Sequence, residues 1–166
     1  VRVAYSPQLD TEWLYNTWGA GFKVNNLYDG TFVLDENFNV LWGTFNSQKF
    51  EEHSLAFFGK GFQALVRNNA PGLSASNDIY AGITRTRDGV AFVGIGLIRP
   101  MVGRLQVHDK TRRYLVITRH LNTQILKDLG ATFQIGSLAF TSDKPEASTV
   151  PLHRSAGEVL GWLNWS

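Results

Sequence analysis

Two apolar runs on either side of an Asp-Gly turn constrain the fold of this chain more than any other feature. Residues 79–86 and 90–99 are rich in apolar and β-branched side chains, and they flank Arg87-Asp88-Gly89. Asp-Gly between two such runs is the strongest short-range sign of a β-hairpin. Because residues 90–98 are apolar on both faces, we expect them to form a central strand that is covered on both sides.

A shorter hairpin and a helix are predicted ahead of this turn. Residues 31–34 and 40–42 form two apolar runs around a polar turn, which predicts a second hairpin. Apolar residues at spacings of three and four predict a helix over residues 48–69. We expect Asn46 or Ser47 to cap the N-terminus of this helix.

The second half of the chain predicts one long strand, one short helix and three short strands. Residues 113–119 have the composition of a strand. Asn122 is expected to cap a helix, and Gly130 is expected to follow its last turn. The three short strands are predicted at residues 132–135, 148–152 and 159–165. The first thirty residues are aromatic-rich and are expected to be irregular.

The order of these elements predicts an α+β fold. Strands joined by short turns pair in the antiparallel direction, and the helices between them cover a face of the sheet. A mainly antiparallel sheet flanked by helices is the plan of PAS-like and Cache-like sensor domains. The chain shows no repeat and no linker-like stretch, so we predict one domain over residues 1–166.

Composition and motifs exclude several classes of function. The net charge is only +2 and no run of five like charges occurs, so we expect no nucleic-acid partner. The chain contains no cysteine, and none of its four histidines has a partner at a metal-ligand spacing. No serine lies in a nucleophile-elbow motif. We therefore predict no catalytic residue, no metal site and no cofactor, and we do not expect an enzyme.

Aromatic rings and arginines are the remaining candidates for a binding site. A pocket for a small molecule is usually lined by rings with a few polar groups, and a guanidinium group matches a carboxylate or a phosphate. The alternative is that the rings belong to the core and the arginines to the surface. The predicted ligand-binding residues are Trp13, Trp18, Tyr28, Tyr80, Arg99 and Arg119, and Arg85 is a further arginine of this kind.

Three stretches resemble the fourth type of CHASE domain, the extracellular sensory module of bacterial cyclases and histidine kinases. The first stretch covers residues 27–35 and 40–43 and is similar to the opening hairpin of that family. The second, residues 98–129, is similar to its Pro-terminated strand followed by a strand and a short helix. The third, residues 150–165, resembles its closing Gly-rich and Trp-rich strand.

The resemblance implies an extracytoplasmic, periplasmic sensor domain from a longer inner-membrane protein. The output domain would be a diguanylate cyclase, a cyclic-di-GMP phosphodiesterase or a histidine kinase. The domain would bind an unknown small ligand. It would pass the resulting conformational change to a membrane anchor that lies outside this chain. A protein-interaction or dimerisation module without a small ligand is the alternative, and a homodimer is compatible with both functions.

Overall fold

The computed structural model describes residues 9–19, 27–75, 79–99, 112–143, 148–154 and 157–166. The helices in these ranges are α1 (Thr11–Leu14), which continues into a π-helical turn (Tyr15–Gly19), α2 (Ser54–Ala75) and α3 (Thr123–Phe133). The strands are β1 (Gly30–Leu34), β2 (Val40–Phe45), β3 (Gln48–Lys49), β4 (Tyr80–Thr86), β5 (Gly89–Leu97), β6 (Tyr114–His120), β7 (Leu138–Thr141), β8 (Thr149–His153) and β9 (Val159–Trp165).

Six of these strands form one antiparallel sheet in the order β3-β2-β1-β6-β5-β4. The two predicted hairpins are its outer parts, and β6 joins them by pairing with β1 on one side and with β5 on the other. The predicted α+β class, with a mainly antiparallel sheet flanked by helices, is confirmed. This topology brings the start of β1, the end of β6 and the β4–β5 turn to the same end of the sheet.

Helix α2 covers one face of the six-stranded sheet with a core that is dominated by phenylalanine. Phe57, Phe58 and Phe62 are fully buried or nearly so, and they pack against strand residues such as Phe32 and Val116. Gly59 interrupts the helix with a φ of 70°, a backbone conformation that glycine adopts without strain. No helix in the described ranges has both the length and the hydropathy needed to cross a membrane.

The opposite face of the sheet is covered only in part by described residues. Leu14, Val33 and Trp42 form a small buried cluster beneath the π-helical turn. Farther along the same face, Phe92 and Ile117 remain 39% and 40% exposed. The prediction that residues 90–98 are covered on both sides is therefore wrong at Phe92, where the described residues leave the outer face exposed.

A second sheet, with the strand order β7-β9-β8, contains the last part of the chain. The ring of Phe140 lies against Gly161, where a Cβ atom would not fit. Two arginines link this sheet to the six-stranded sheet and to helix α2. Arg85 on β4 donates a hydrogen bond to the carbonyl of Leu160, and the Arg154 side chain lies against Gly61 of α2.

The first half of the chain requires two corrections to the predicted elements. The long helix begins at Ser54 rather than at residue 48 and continues to Ala75 rather than to residue 69. Residues Asn46 and Ser47 do not cap it. They have positive φ values of 50° and 64° and form the tight turn between β2 and β3. An Asn-Ser pair is compatible with a helix cap and with such a turn. The turn forms because β3 pairs with β2.

The second half requires similar corrections around α3. Asn122 caps this helix as predicted, since its side chain accepts a hydrogen bond from the Ile125 N–H. Gly130 does not end it. The helix ends at Phe133, and Gln134 adopts the left-handed conformation at its C-terminus. Residues 132–135 are therefore not a strand, and β7 was not predicted, whereas β8 and β9 lie at or next to their predicted positions.

Candidate functional site

A pocket with a volume of about 280 Å³ opens at one end of the six-stranded sheet. It lies where the β1, β2 and β6 ends, the β4–β5 turn and the N-terminus of α3 meet. Its lining residues are polar or charged except for Phe45. The lining residues are Asp29, Phe45, Asn46, Asp88, Arg119, His120, Asn122 and Gln124.

Asp29 is the most extensively hydrogen-bonded side chain of this pocket. Its Oδ1 atom accepts a hydrogen bond from the Thr118 hydroxyl at 2.8 Å. Its Oδ2 atom lies 2.6 Å from the His120 backbone nitrogen, which donates to it, and 3.0 Å from Nδ1 of the same residue. The backbone of Asp29 is fixed as well, because its N–H donates to the Thr118 carbonyl. The carboxylate therefore joins the start of β1 to the end of β6.

The environment of Asp29 shifts its pKa in two opposite directions. Burial raises the pKa of this carboxyl because it disfavours the charged form. The hydrogen bonds from the His120 side chain and backbone, the charge of His120 and the Thr118 hydroxyl lower it by more. The net pKa lies below its ordinary value of 3.8. Asp29 is thus a buried carboxylate that its neighbours keep ionised.

His120 continues this hydrogen-bonded chain toward the β4–β5 turn. Its Nε2 atom lies 2.6 Å from the Thr86 hydroxyl oxygen, which also accepts a hydrogen bond from the Asp88 N–H at 3.1 Å. The ring of Phe45 lies 5.2 Å from the imidazole centroid in an edge-on arrangement. His120 itself is only 7% exposed. We call Asp29, Thr86, Thr118 and His120 the buried relay.

The buried relay has the connectivity of a catalytic triad, in the order carboxylate, imidazole, hydroxyl. A nucleophile must, however, reach the substrate that it attacks. Thr86 is 5% exposed and does not line the pocket, and its oxygen is already an acceptor for a backbone N–H. The Thr86 hydroxyl is therefore not placed to attack a molecule in this pocket.

The β4–β5 turn is held in place by Arg87. The Arg87 N–H donates a hydrogen bond of 2.8 Å to the carbonyl of Phe57, which the break in α2 at Gly59 leaves accessible. Its guanidinium group forms ion pairs with Glu52 and Asp88. The hydrogen bond from Arg87 lowers the pKa of Asp88 and outweighs the smaller effect of burial. Asp88 thus lines the pocket, and Arg87 already neutralises part of its negative charge.

Arg119 differs from these residues because no described residue neutralises its charge. Among the described residues, we find no hydrogen bond or ion pair of its guanidinium group. It is half-buried and neighbours His120 on β6, although adjacent side chains of a strand point to opposite faces. Both residues line the pocket, which therefore lies at the end of the sheet rather than on one of its faces.

The structure places the predicted aromatic site residues outside this pocket. Trp13 and Trp18 pack against each other edge-on with centroids 5.7 Å apart, and the Tyr28 hydroxyl donates to the Trp18 carbonyl. We call these three residues the aromatic segment. Tyr80 packs at the edge of the α2-covered core.

The predicted arginines have separate locations. Arg119 lines the pocket, whereas Arg85 is bound to the Leu160 carbonyl and Arg99 is exposed just beyond β5. Of the six predicted ligand-binding residues, only Arg119 is thus brought to the pocket. The described residues contain no group of three or more histidine or acidic side chains that would suit a metal ion.

Sequence analysis predicted one residue of the pocket, Arg119, and missed the others. Asp29 lies directly before β1. Its partner His120 is 91 residues away, so no local spacing indicates the pair. Comparison with protein-family models found no match to this chain, and comparison with curated proteins found no significant similarity.

Proposed function

We propose that this chain is an extracytoplasmic sensory domain of a bacterial transmembrane signalling protein and that it binds a small ligand in the pocket at the end of the sheet. The observation that supports this function best is the pocket itself. Its volume of about 280 Å³ is close to the lower end of the range for small-molecule sites, which is roughly 300 Å³. Its lining residues are polar or charged except for Phe45, so the pocket is more polar than most small-molecule sites and suits a polar ligand.

The position of the pocket suits a sensor. Its walls come from the first hairpin, the second hairpin, β6 and the start of α3, so a bound ligand contacts elements from distant parts of the chain. A ligand that binds one arrangement of these elements better than another shifts the population toward the first arrangement. The size of that shift is limited by the difference between the two affinities.

The signalling context is supported by the three resembling stretches and by the fold. The chain has the α+β plan of PAS-like and Cache-like sensors, and the closing stretch forms β8 and β9. In this proposal, membrane helices outside the chain carry the change to a cyclic-di-GMP enzyme or a histidine kinase. A non-enzymatic role fits the buried position of Thr86 in the relay.

An interaction module without a small ligand is the second candidate. It is favoured by one observation, the exposed apolar side chains of Phe92 and Ile117 on the outer face of the sheet. Scattered exposed apolar residues are common on monomeric proteins, so this observation has less weight than the pocket. Sedimentation of the wild type and of Phe92→Ser tests it, because a self-associating face predicts a lower mass for the variant.

Thermal unfolding in the presence of small metabolites tests the sensory function. A ligand at about 100 times its Kd adds about 2.7 kcal/mol to the free energy of unfolding. The variant Gln124→Trp fills the pocket mouth from the first turn of α3, and Lys127→Trp adds the same ring to an exposed position of the same helix that does not line the pocket. We expect Gln124→Trp to abolish the ligand-induced stabilisation and Lys127→Trp to retain it.

A third variant separates the pocket from the aromatic segment. Trp18→Leu should lower the melting temperature in the absence of ligand but leave the ligand-induced increase unchanged, because Trp18 lies outside the pocket. Ligand binding that survives in Gln124→Trp would contradict the proposed site. The absence of stabilisation by any metabolite would contradict ligand sensing by this domain.

A further inference from the structure

The charged groups of the pocket differ in how much of their binding capacity is already used. The two oxygens of Asp29 accept three hydrogen bonds from Thr118 and His120. Asp88 is held by both donors of the Arg87 fork, at 3.0 and 3.1 Å. Arg119 has no such partner among the described residues. The charge that is left for a ligand is therefore positive.

We propose, on the basis of the sensory function above, that the ligand of this pocket is a small monocarboxylic acid that bears a hydroxyl or ammonium group and that Arg119 binds its carboxylate. A guanidinium group presents parallel N–H donors in a plane, and a carboxylate accepts two of them at once. A half-buried guanidinium group beside a pocket gains more from such a pair than an exposed one does.

The N-terminus of α3 adds a second preference for a negative charge in the same pocket. Asn122 caps this helix of eleven residues, and Gln124 in its first turn lines the pocket. The first N–H groups of a helix lack intrahelical partners, and the helix dipole favours an anion near them. This preference and that of Arg119 arise from two different elements, both of which line the pocket.

The remaining groups limit the ligand to one negative charge. Asp29 and Asp88 line the pocket as carboxylates, so a second anionic group on the ligand would lie near like charges. The amide oxygens of Asn46 and Gln124, which also line the pocket, favour a hydrogen-bond donor on the ligand instead. Phe45 supplies an apolar wall, and the volume of about 280 Å³ restricts the ligand to a small metabolite.

Calorimetric and thermal-shift titration with defined probes tests this ligand class. The acids are lactate and alanine, which have one carboxylate and a donor group. The comparison probes are succinate with two carboxylates, lactamide and ethanolamine with none, and inorganic phosphate. We expect stabilisation by lactate or alanine at millimolar concentration and a smaller effect, or none, of the other four.

Two matched arginine variants locate the carboxylate. Arg119→Gln should weaken the binding of the acid about a hundredfold, because it removes one partner of a charge-assisted pair. Its melting temperature without ligand should stay close to that of the wild type. Arg99→Gln removes an exposed arginine outside the pocket and should leave the affinity unchanged. Arg119→Lys keeps the charge without the planar fork and should bind with intermediate affinity.

The outcomes separate this inference from the sensory function. Unchanged acid binding in Arg119→Gln, no binding of either acid, or preferential binding of ethanolamine, lactamide, succinate or phosphate would overturn the ligand class. If a compound of another class stabilises the wild type and Gln124→Trp abolishes that effect, the sensory function holds while the ligand class fails. If no compound of any class binds, both fail.

Discussion

The aromatic segment lies beside the six-stranded sheet and the buried relay lies at its end, but the two use their side chains differently. In the aromatic segment, Trp13 and Trp18 contact each other, and the Tyr28 hydroxyl is occupied by a backbone carbonyl. In the relay, Asp29 and His120 are just as well occupied, yet they form one wall of an open pocket. Large rings fill space, whereas a site requires polar groups that are held in place next to unfilled space.

The difference shows that a high aromatic content is weak support for a binding site. Rings that recur at short spacing bury apolar surface most effectively by packing on one another, and they thereby close the space that a ligand would need. A relay of polar groups has the opposite effect, because its geometry is fixed by hydrogen bonds and does not depend on filling the volume next to it. Variants of the relay are therefore the most direct way to sharpen this comparison.

The largest effect is expected from Asp29→Ala. It removes the acceptor of three hydrogen bonds and leaves the Thr118 hydroxyl and two nitrogen atoms of His120 without their partner. Loss of one partner from a buried ion pair or network destabilises a protein by roughly 3 kcal/mol or more. Urea unfolding at neutral pH measures this loss of free energy.

Asp143→Ala is the matched control for Asp29→Ala. It removes an exposed aspartate of the β7 end, and we find no bond of its carboxylate among the described residues. We expect this variant to change the free energy of unfolding by less than about 0.5 kcal/mol. Equal effects of the two variants would show that the relay contributes nothing specific to stability.

The acid dependence of stability should depend on the charge of Asp29. Its pKa is lower in the folded chain than the ordinary value of 3.8, so its contribution is fully present above pH 3.8. That contribution is lost as the pH falls through the lower, folded pKa, with a slope of at most about 1.4 kcal/mol per pH unit for one proton. Asp29→Asn cannot ionise and keeps nearly the same shape. Its free energy of unfolding should therefore fall less steeply than that of the wild type below pH 4.

Denaturant unfolding at a series of pH values measures these slopes. Asp88→Asn serves as a comparison, because Asp88 also has a lowered pKa but is paired at the surface with Arg87. Screening by solvent makes its contribution small. Parallel curves for Asp29→Asn and the wild type would mean that the carboxylate is not preferentially ionised in the folded state.

Local sequence patterns were sufficient to predict most strands of the sheet but not the pocket at the end of the sheet. Both hairpins and β6 follow from alternation, turn residues and apolar runs, which involve neighbours along the chain. The length of α2 did not follow, because Pro71 normally ends a helix and here lies within the range of one. Gly59, by contrast, does interrupt the helix, as its low helix propensity indicates.

The pocket was less predictable for a related reason. Its residues come from positions 29 to 124, and the topology brings them together only when β6 pairs with β1. His120 is an ordinary strand residue in the sequence, and its role depends on Asp29, which is distant in the chain. Arg119 was predicted because a guanidinium group can bind a carboxylate or a phosphate, which is a property of one side chain and does not depend on distant residues.

Two threonines of β4 allow a direct comparison within the relay itself. Thr84 and Thr86 are both buried and point to the same face, two residues apart. Thr86 contacts His120 and accepts from the Asp88 N–H, so Thr86→Val leaves both groups without a partner. We expect this variant to lower the free energy of unfolding by about 2 kcal/mol, measured by urea unfolding.

Thr84→Val should have the opposite sign, which makes it a stringent test of the hydrogen bonds described above. The Thr84 hydroxyl is fully buried and has no hydrogen-bond partner among the described residues. Valine has nearly the same shape and removes a polar group whose burial is uncompensated, so the variant should be more stable by about 1 kcal/mol. A destabilised Thr84→Val would show that this hydroxyl does have a partner. The interior polar residues would then form one continuous network, and the distinction between relay and core at this end of the sheet would be lost.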